Sequence, residues 1–144
     1  MGKATLKDLE LWLSGSPESE QLEFKEAKNQ YDSEKLIRYC VALSNERGGR
    51  IVLGISDKLP RKVVGTGAFA DHGPIRARIL DKLHIRVDAT ELVHKDGRVL
   101  VFDVPSRPQG TPVSYDGQYL MRMGEQLQPM TADQLKRIFD EGKP

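Results

Sequence analysis

The stretch Leu43-Ser44-Asn45-Glu46-Arg47-Gly48-Gly49-Arg50-Ile51-Val52-Leu53-Gly54-Ile55-Ser56-Asp57 decides the reading of the fold. It begins as the last turn of a helix, passes through two glycines and enters an apolar run, residues 51–55, that has no wet face. A strand of that kind is buried on both sides and belongs at the centre of a sheet. Gly48 and Gly49 suit the left-handed conformation that ends helices, so the chain is expected to double back and lay the helix on its own strand. Gly54 removes a side chain within the strand, where another backbone, a side chain or a ligand can come close. Asp57 is the first carboxylate after the apolar run and stands where the strand opens into Lys58-Leu59-Pro60-Arg61-Lys62.

Working outward toward the amino terminus, residues 32–46 read as a helix capped by Asp32 or Ser33, with Leu36, Ile37, Cys40 and Leu43 on the stripe that meets the central strand. Before it, Gln21-Leu22-Glu23-Phe24-Lys25 alternates as a strand, with Leu22 and Phe24 buried and Glu23 and Lys25 on a polar face. A first helix over residues 6–13 carries a Thr5/Asp8 capping box and stops at Ser14-Gly15-Ser16-Pro17. Toward the carboxyl terminus, residues 62–65 are expected to pair with the central strand. Residues 74–83 form a helix with Ile75, Ile79, Leu80 and Leu83 inward and Arg76, Arg78 and Lys82 outward. Strands over 85–93 and 98–104 join through Asp96-Gly97, and a second hairpin joins 113–115 to 119–123 about Asp116-Gly117. A final helix opens on a Thr131/Gln134 capping box and turns Ile138 and Phe139 inward. The expected fold is α/β (α+β): a mixed β-sheet of about five or six strands with helices packed on it. Residues 1–17 would form an N-terminal helix and linker, and residues 18–144 the domain proper.

Length and composition narrow the classes of function. A chain of 144 residues, 38% hydrophobic and 30% charged, can bury a core without metal or disulfide staples. No apolar run approaches membrane length and the amino terminus lacks a signal-peptide pattern, so the default expectation is a cytoplasmic protein with no membrane partner. The single cysteine, Cys40, sits at an apolar helix position and reads as a buried inert thiol. A net charge of +1 means that any surface for RNA or DNA must come from segregation of charge.

Three carboxylates stand where chemistry is possible: Glu18 leads into the first strand, Glu23 shares a face with Lys25, and Asp57 ends the strand expected alongside. Adjacent strands are under about 5 Å apart, so such carboxylates can share Mg²⁺ or Mn²⁺. A phosphodiester suits that arrangement, because the metal activates water and a fixed ammonium such as Lys25 steadies the phosphate. The competing reading makes Glu23 and Lys25 an ion pair on a solvated strand and Asp57 the start of a turn. Arg76, Arg78, Lys82 and Arg86, with Lys58, Arg61 and Lys62, would either track phosphates or form an ordinary solvated face. Arg122 would either touch phosphate or bond Asp103 or Glu125. Trp12 would either stack on a base or pack in the core. Gly65-Thr66-Gly67 lacks the ending of a phosphate loop, and His72, His84 and His94 have no ligand spacing.

Two blocks, Glu18-Ser19-Glu20-Gln21-Leu22-Glu23-Phe24-Lys25 and Leu43-Ser44-Asn45 with Gly48-Gly49 through Gly54-Ile55-Ser56-Asp57, resemble the signature blocks of the Schlafen, or AlbA-like, nucleic-acid-binding domain. Tyr119-Leu120-Met121-Arg122-Met123-Gly124 is similar to the third block of that family. The resemblance implies a metal-dependent endoribonuclease site acting on transfer and ribosomal RNA, with Glu18, Glu23 and Asp57 as metal ligands and Lys25 beside them. The alternative that it also implies is a non-catalytic DNA- or RNA-binding module of transcription regulators. Schlafen cores pair two similar lobes around RNA, so a single lobe is expected to form a homodimer. The zinc-binding cysteines and histidine of the vertebrate cores are absent.

Overall fold

The computed structural model describes residues 2–15, 21–124 and 126–143. The apolar run forms β2 (Gly49–Leu53), an inner strand of a four-stranded sheet. On one side it pairs in parallel with β1 (Leu22–Lys25), and on the other it runs antiparallel to β4 (Gly97–Val104). Strand β3 (Asp88–His94) pairs with β4 and closes the order β1-β2-β4-β3. The helix preceding β2, α2 (Ser33–Asn45), is capped by Asp32, whose side chain accepts from the Glu34 N–H. Gly48 takes φ +87° as the chain reverses, and its N–H donates to the Leu43 carbonyl at 2.7 Å. Past the strand, Gly54 has φ +102° and lies so close to β4 that a Cβ would stand 2.7 Å from the Arg98 carbonyl oxygen. The expected close approach at Gly54 is therefore to backbone.

Both sheet faces are covered. Ile51, Leu53, Leu100 and Phe102 join α2 and α3 (Gly73–Leu83) in one core, where Ile37, Cys40, Leu43 and Ile79 are fully buried. Phe24, Val52, Val99 and Val101 face the other way and meet Leu9 and Trp12 of α1 (Leu6–Leu13). Trp12 packs edge-on to Phe24 with ring centroids 6.1 Å apart, so it is a core residue. The first helix thus packs into the same body as the sheet. Burial pushes the Cys40 thiol up to about 12, consistent with an inert core cysteine.

The remaining strands depart from expectation. The mixed sheet has four strands, and β5 (Leu120–Met123) with β6 (Gln126–Pro129) makes a separate two-stranded ribbon. The hairpin expected about Asp116-Gly117 shrinks to a single bridge between Tyr115 and Gln118. The cause is Asn45, at the end of α2. Its amide nitrogen donates to the carbonyls of Val113 and Leu120 at 3.0 and 2.9 Å, and its oxygen accepts from the Val113 N–H at 2.8 Å. With the Val113 backbone so occupied, β5 pairs onward with β6. Residues 62–65 do meet the central strand, through a bridge from Val63 to Ile55. Helix α4 (Ala132–Phe139) has its Thr131/Gln134 capping box, but it buries Ile138 and leaves Phe139 exposed.

Candidate functional site

Glu23 is the centre of the site that the two sequence blocks bring together. Alternation puts Glu23 and Lys25 on one face of β1, but that face is covered by α2 and the β5–β6 ribbon, and Glu23 is 2% exposed. The solvated polar face expected for this strand is therefore an interior one. A carboxylate there needs cations. One oxygen of Glu23 lies 3.1 Å from Lys25 Nζ, and the other accepts from the guanidinium of Arg122 on β5. Arg122 is itself only 2% exposed, so it is the buried partner of Glu23 and does not face a phosphate. Of the carboxylates proposed for it, Asp103 pairs with Arg50 at 2.6 Å, while Glu125 lies outside the described residues.

Two tyrosines complete the cluster. Lys25 Nζ stands 5.1 Å from the centroid of the Tyr39 ring on α2, a cation–π distance. Burial works against the charged lysine, but the hydrogen bond and charge of Glu23, reinforced by Tyr39, raise its pKa above the ordinary range. Tyr31 lies close enough to feel Lys25, Tyr39 and Glu23, and burial raises its hydroxyl pKa. Sequence reading missed both tyrosines because an aromatic in or before a helix carries no sign of which strand it will meet.

Asp57 behaves differently. It is exposed in the loop beyond β2, beside the Ser56 N–H to Lys62 carbonyl bond of 3.0 Å that closes the turn. Glu18 lies outside the described residues. Among the described residues no three His, Cys, Asp or Glu side chains gather to hold a metal ion. Glu23, with each oxygen already facing a buried or half-buried cation, does not fit a divalent-ion ligand as it stands. A metal arriving there would have to displace Lys25 and Arg122.

The basic residues divide in the same way. Arg61, expected on a phosphate-tracking stripe, is 6% exposed, with its guanidinium 4.3 Å from the Phe24 centroid and a 3.1 Å bond to the Trp12 carbonyl. Arg61 therefore clamps α1 to the sheet. Arg78 pairs with Glu34 across α2 and α3, and that pairing, ahead of an opposing desolvation, raises its pKa. Lys58, Lys62 and Lys82 are exposed and form no ion pair among the described residues. Arg76 donates Nε to His72 Nδ1 at 2.9 Å and lines a groove of about 580 Å³ with Lys3, Arg47, Arg86, Asp88 and Asp103. Lys3 and Arg47 were not singled out in the sequence; the available signal was that Arg47 immediately precedes the Gly48-Gly49 reversal.

Comparisons with known proteins agree with this arrangement at the level of fold. The DIP2311 protein of Corynebacterium diphtheriae superposes with a TM-score of 0.64 at 20% identity, over 87% of this chain and 29% of that one. This chain thus spans under a third of that protein. The N-terminal domain of a protein from Nitrosomonas europaea described as ATP-dependent DNA helicase RecG-related superposes with a TM-score of 0.57 at 20% identity, over 90% of this chain and 95% of that domain. No curated protein sequence matches. No helix among the described residues is long and apolar enough to cross a membrane. Residues 18–131 match the family model described as Schlafen, AlbA_2, and the chain belongs to that family.

Proposed function

We propose that this domain is a nucleic-acid-binding module that holds a strand of RNA or DNA without cutting it. The observation that carries the reading is Glu23: each of its oxygens faces a cation, and the pair with Arg122 is buried. A carboxylate so engaged anchors β5 to β1 and has no oxygen to spare for a catalytic metal. Membership of the Schlafen family and the helicase-related description of the Nitrosomonas neighbour support nucleic acid as the partner. A second copy would complete the two-lobed cleft that the family resemblance implies, and light scattering with and without RNA reads that assembly.

The test is a pool of transfer RNA and single-stranded DNA incubated with Mn²⁺ or with EDTA and run on native and denaturing gels. Shifted but intact nucleic acid, the same in both conditions, is the expected result. Mn²⁺-dependent cutting that is lost in Asp57→Asn would overturn it and restore the endoribonuclease reading, with Glu18, Glu23 and Asp57 holding Mg²⁺ or Mn²⁺ and Lys25 beside the cleaved phosphate. Asp57 is the residue to change because it is exposed, whereas a Glu23 variant would also disturb the core.

A further inference from the structure

The groove lined by Lys3, Arg47, Arg76 and Arg86 lies at the end of the sheet where Gly49 pairs with Val104. The loop carrying Asp57 leaves the opposite end of β2, beyond the pairing of Leu53 with Leu100. The groove and Asp57 therefore lie at opposite ends of β2. Its carboxylates do not balance its cations. Asp103 is taken by Arg50, which also donates to the Gly2 carbonyl at 2.8 Å and so fixes the segment bearing Lys3. Among the described residues Asp88 makes no ion pair, nor do Lys3, Arg47 and Arg86, while the Arg76 side chain donates to His72 Nδ1.

In a chain with a net charge of +1, four such cations around one concavity are a local concentration of charge that the fold does not use. Unpaired like charges repel, and an anion relieves that repulsion. Guanidinium groups are planar forks that fit phosphate oxygens in pairs, which makes phosphate a better match than a single carboxylate. A volume of about 580 Å³ is within the usual range for small-ligand sites and exceeds the needs of one phosphate group. We propose that this groove binds phosphate groups, either along a nucleic-acid strand or in a free polyphosphate. The strand form rests on the binding reading above; the free form stands without it.

The test uses a labelled single-stranded RNA in fluorescence anisotropy across a salt series, and pyrophosphate titrated into the isotope-labelled protein while the backbone amides of Lys3, Arg47 and Gly49 are followed. The variant is the double change Arg47→Asn with Arg86→Gln. Both residues are exposed and make no ion pair among the described residues, and asparagine tolerates the φ of +77° at position 47. Lys95→Gln, at the β3–β4 turn, serves as the control for loss of surface charge. If the groove holds the strand, the double variant lowers the slope of log K against log salt by about 1.4, at about 0.7 per lost contact, and Lys95→Gln leaves it. RNA binding that keeps its full slope in the double variant overturns the strand form while the binding function stands. Should the wild type bind no RNA, the RNA form of the binding function falls, and pyrophosphate shifts that the double variant abolishes uphold the free form. No response to the double variant in either arm overturns the proposal.

Discussion

The Glu23 cluster and the Lys3–Arg86 groove use the same kinds of residue to opposite ends. In the cluster, Lys25 and Arg122 face one buried carboxylate, and a tyrosine ring covers the lysine. In the groove, four basic groups stand around one unpaired aspartate and open to solvent. Charge that is paired and desolvated holds elements together, and charge that is unpaired and wet is left for a ligand. This domain holds an example of each, and each assignment can be broken by substitution.

The largest effect is expected at the cluster. Arg122→Leu leaves buried Glu23 with Lys25 as its one cation among these partners and should lower stability by about 3 kcal/mol in denaturant unfolding, with the double variant Glu23→Leu, Arg122→Leu recovering part of the loss. A double-variant loss equal to the sum of the two single-variant losses would mean that the pair is not coupled. Asn45→Ala comes next. It deserts two buried carbonyls and one N–H, and a loss of about 2–3 kcal/mol is expected, together with earlier amide exchange around Val113.

A pH measurement sharpens the contrast at a third pair. Arg107 binds both oxygens of Glu141 at 2.6 and 2.7 Å, and the Gly110 N–H adds another bond at 2.9 Å. The guanidinium bond first, then the backbone N–H, hold the Glu141 carboxyl down to about 2 from an ordinary value of 4.5. A depressed carboxyl contributes stability that is present above 4.5 and lost as pH falls from there toward about 2. Glu141→Gln should flatten that part of the stability profile, and an unchanged profile would dismiss the clamp. The smallest effect belongs to free charge: Lys58→Gln and Lys62→Gln should each move stability by less than about 0.5 kcal/mol in the same unfolding assay.

The helices and the central strand were legible because their signals are local. The Thr5/Asp8 and Thr131/Gln134 boxes, the glycine reversal and the apolar run each act within a few residues of themselves. The site was less legible because its partners are distant. Nothing near Glu23 announces Arg122, and alternation alone makes the face of β1 that carries Glu23 look wet when a ribbon covers it. Arg61 read as a surface cation for the same reason: Phe24 meets it only through the fold. The second hairpin failed because one side chain, Asn45, outcompeted strand pairing for the Val113 backbone.

The bond between Glu23 and Arg122 spans 99 positions of sequence. The β3–β4 hairpin closes over a two-residue turn, whereas this contact must wait until β1, α2 and β5 have all assembled. Contacts of high sequence separation form late, after the cost of closing the chain has been met. A bond absent from the transition state leaves the folding rate alone and governs the reverse rate. Arg122→Leu should therefore steepen spontaneous opening while hardly slowing folding, which makes this pair the domain's kinetic latch.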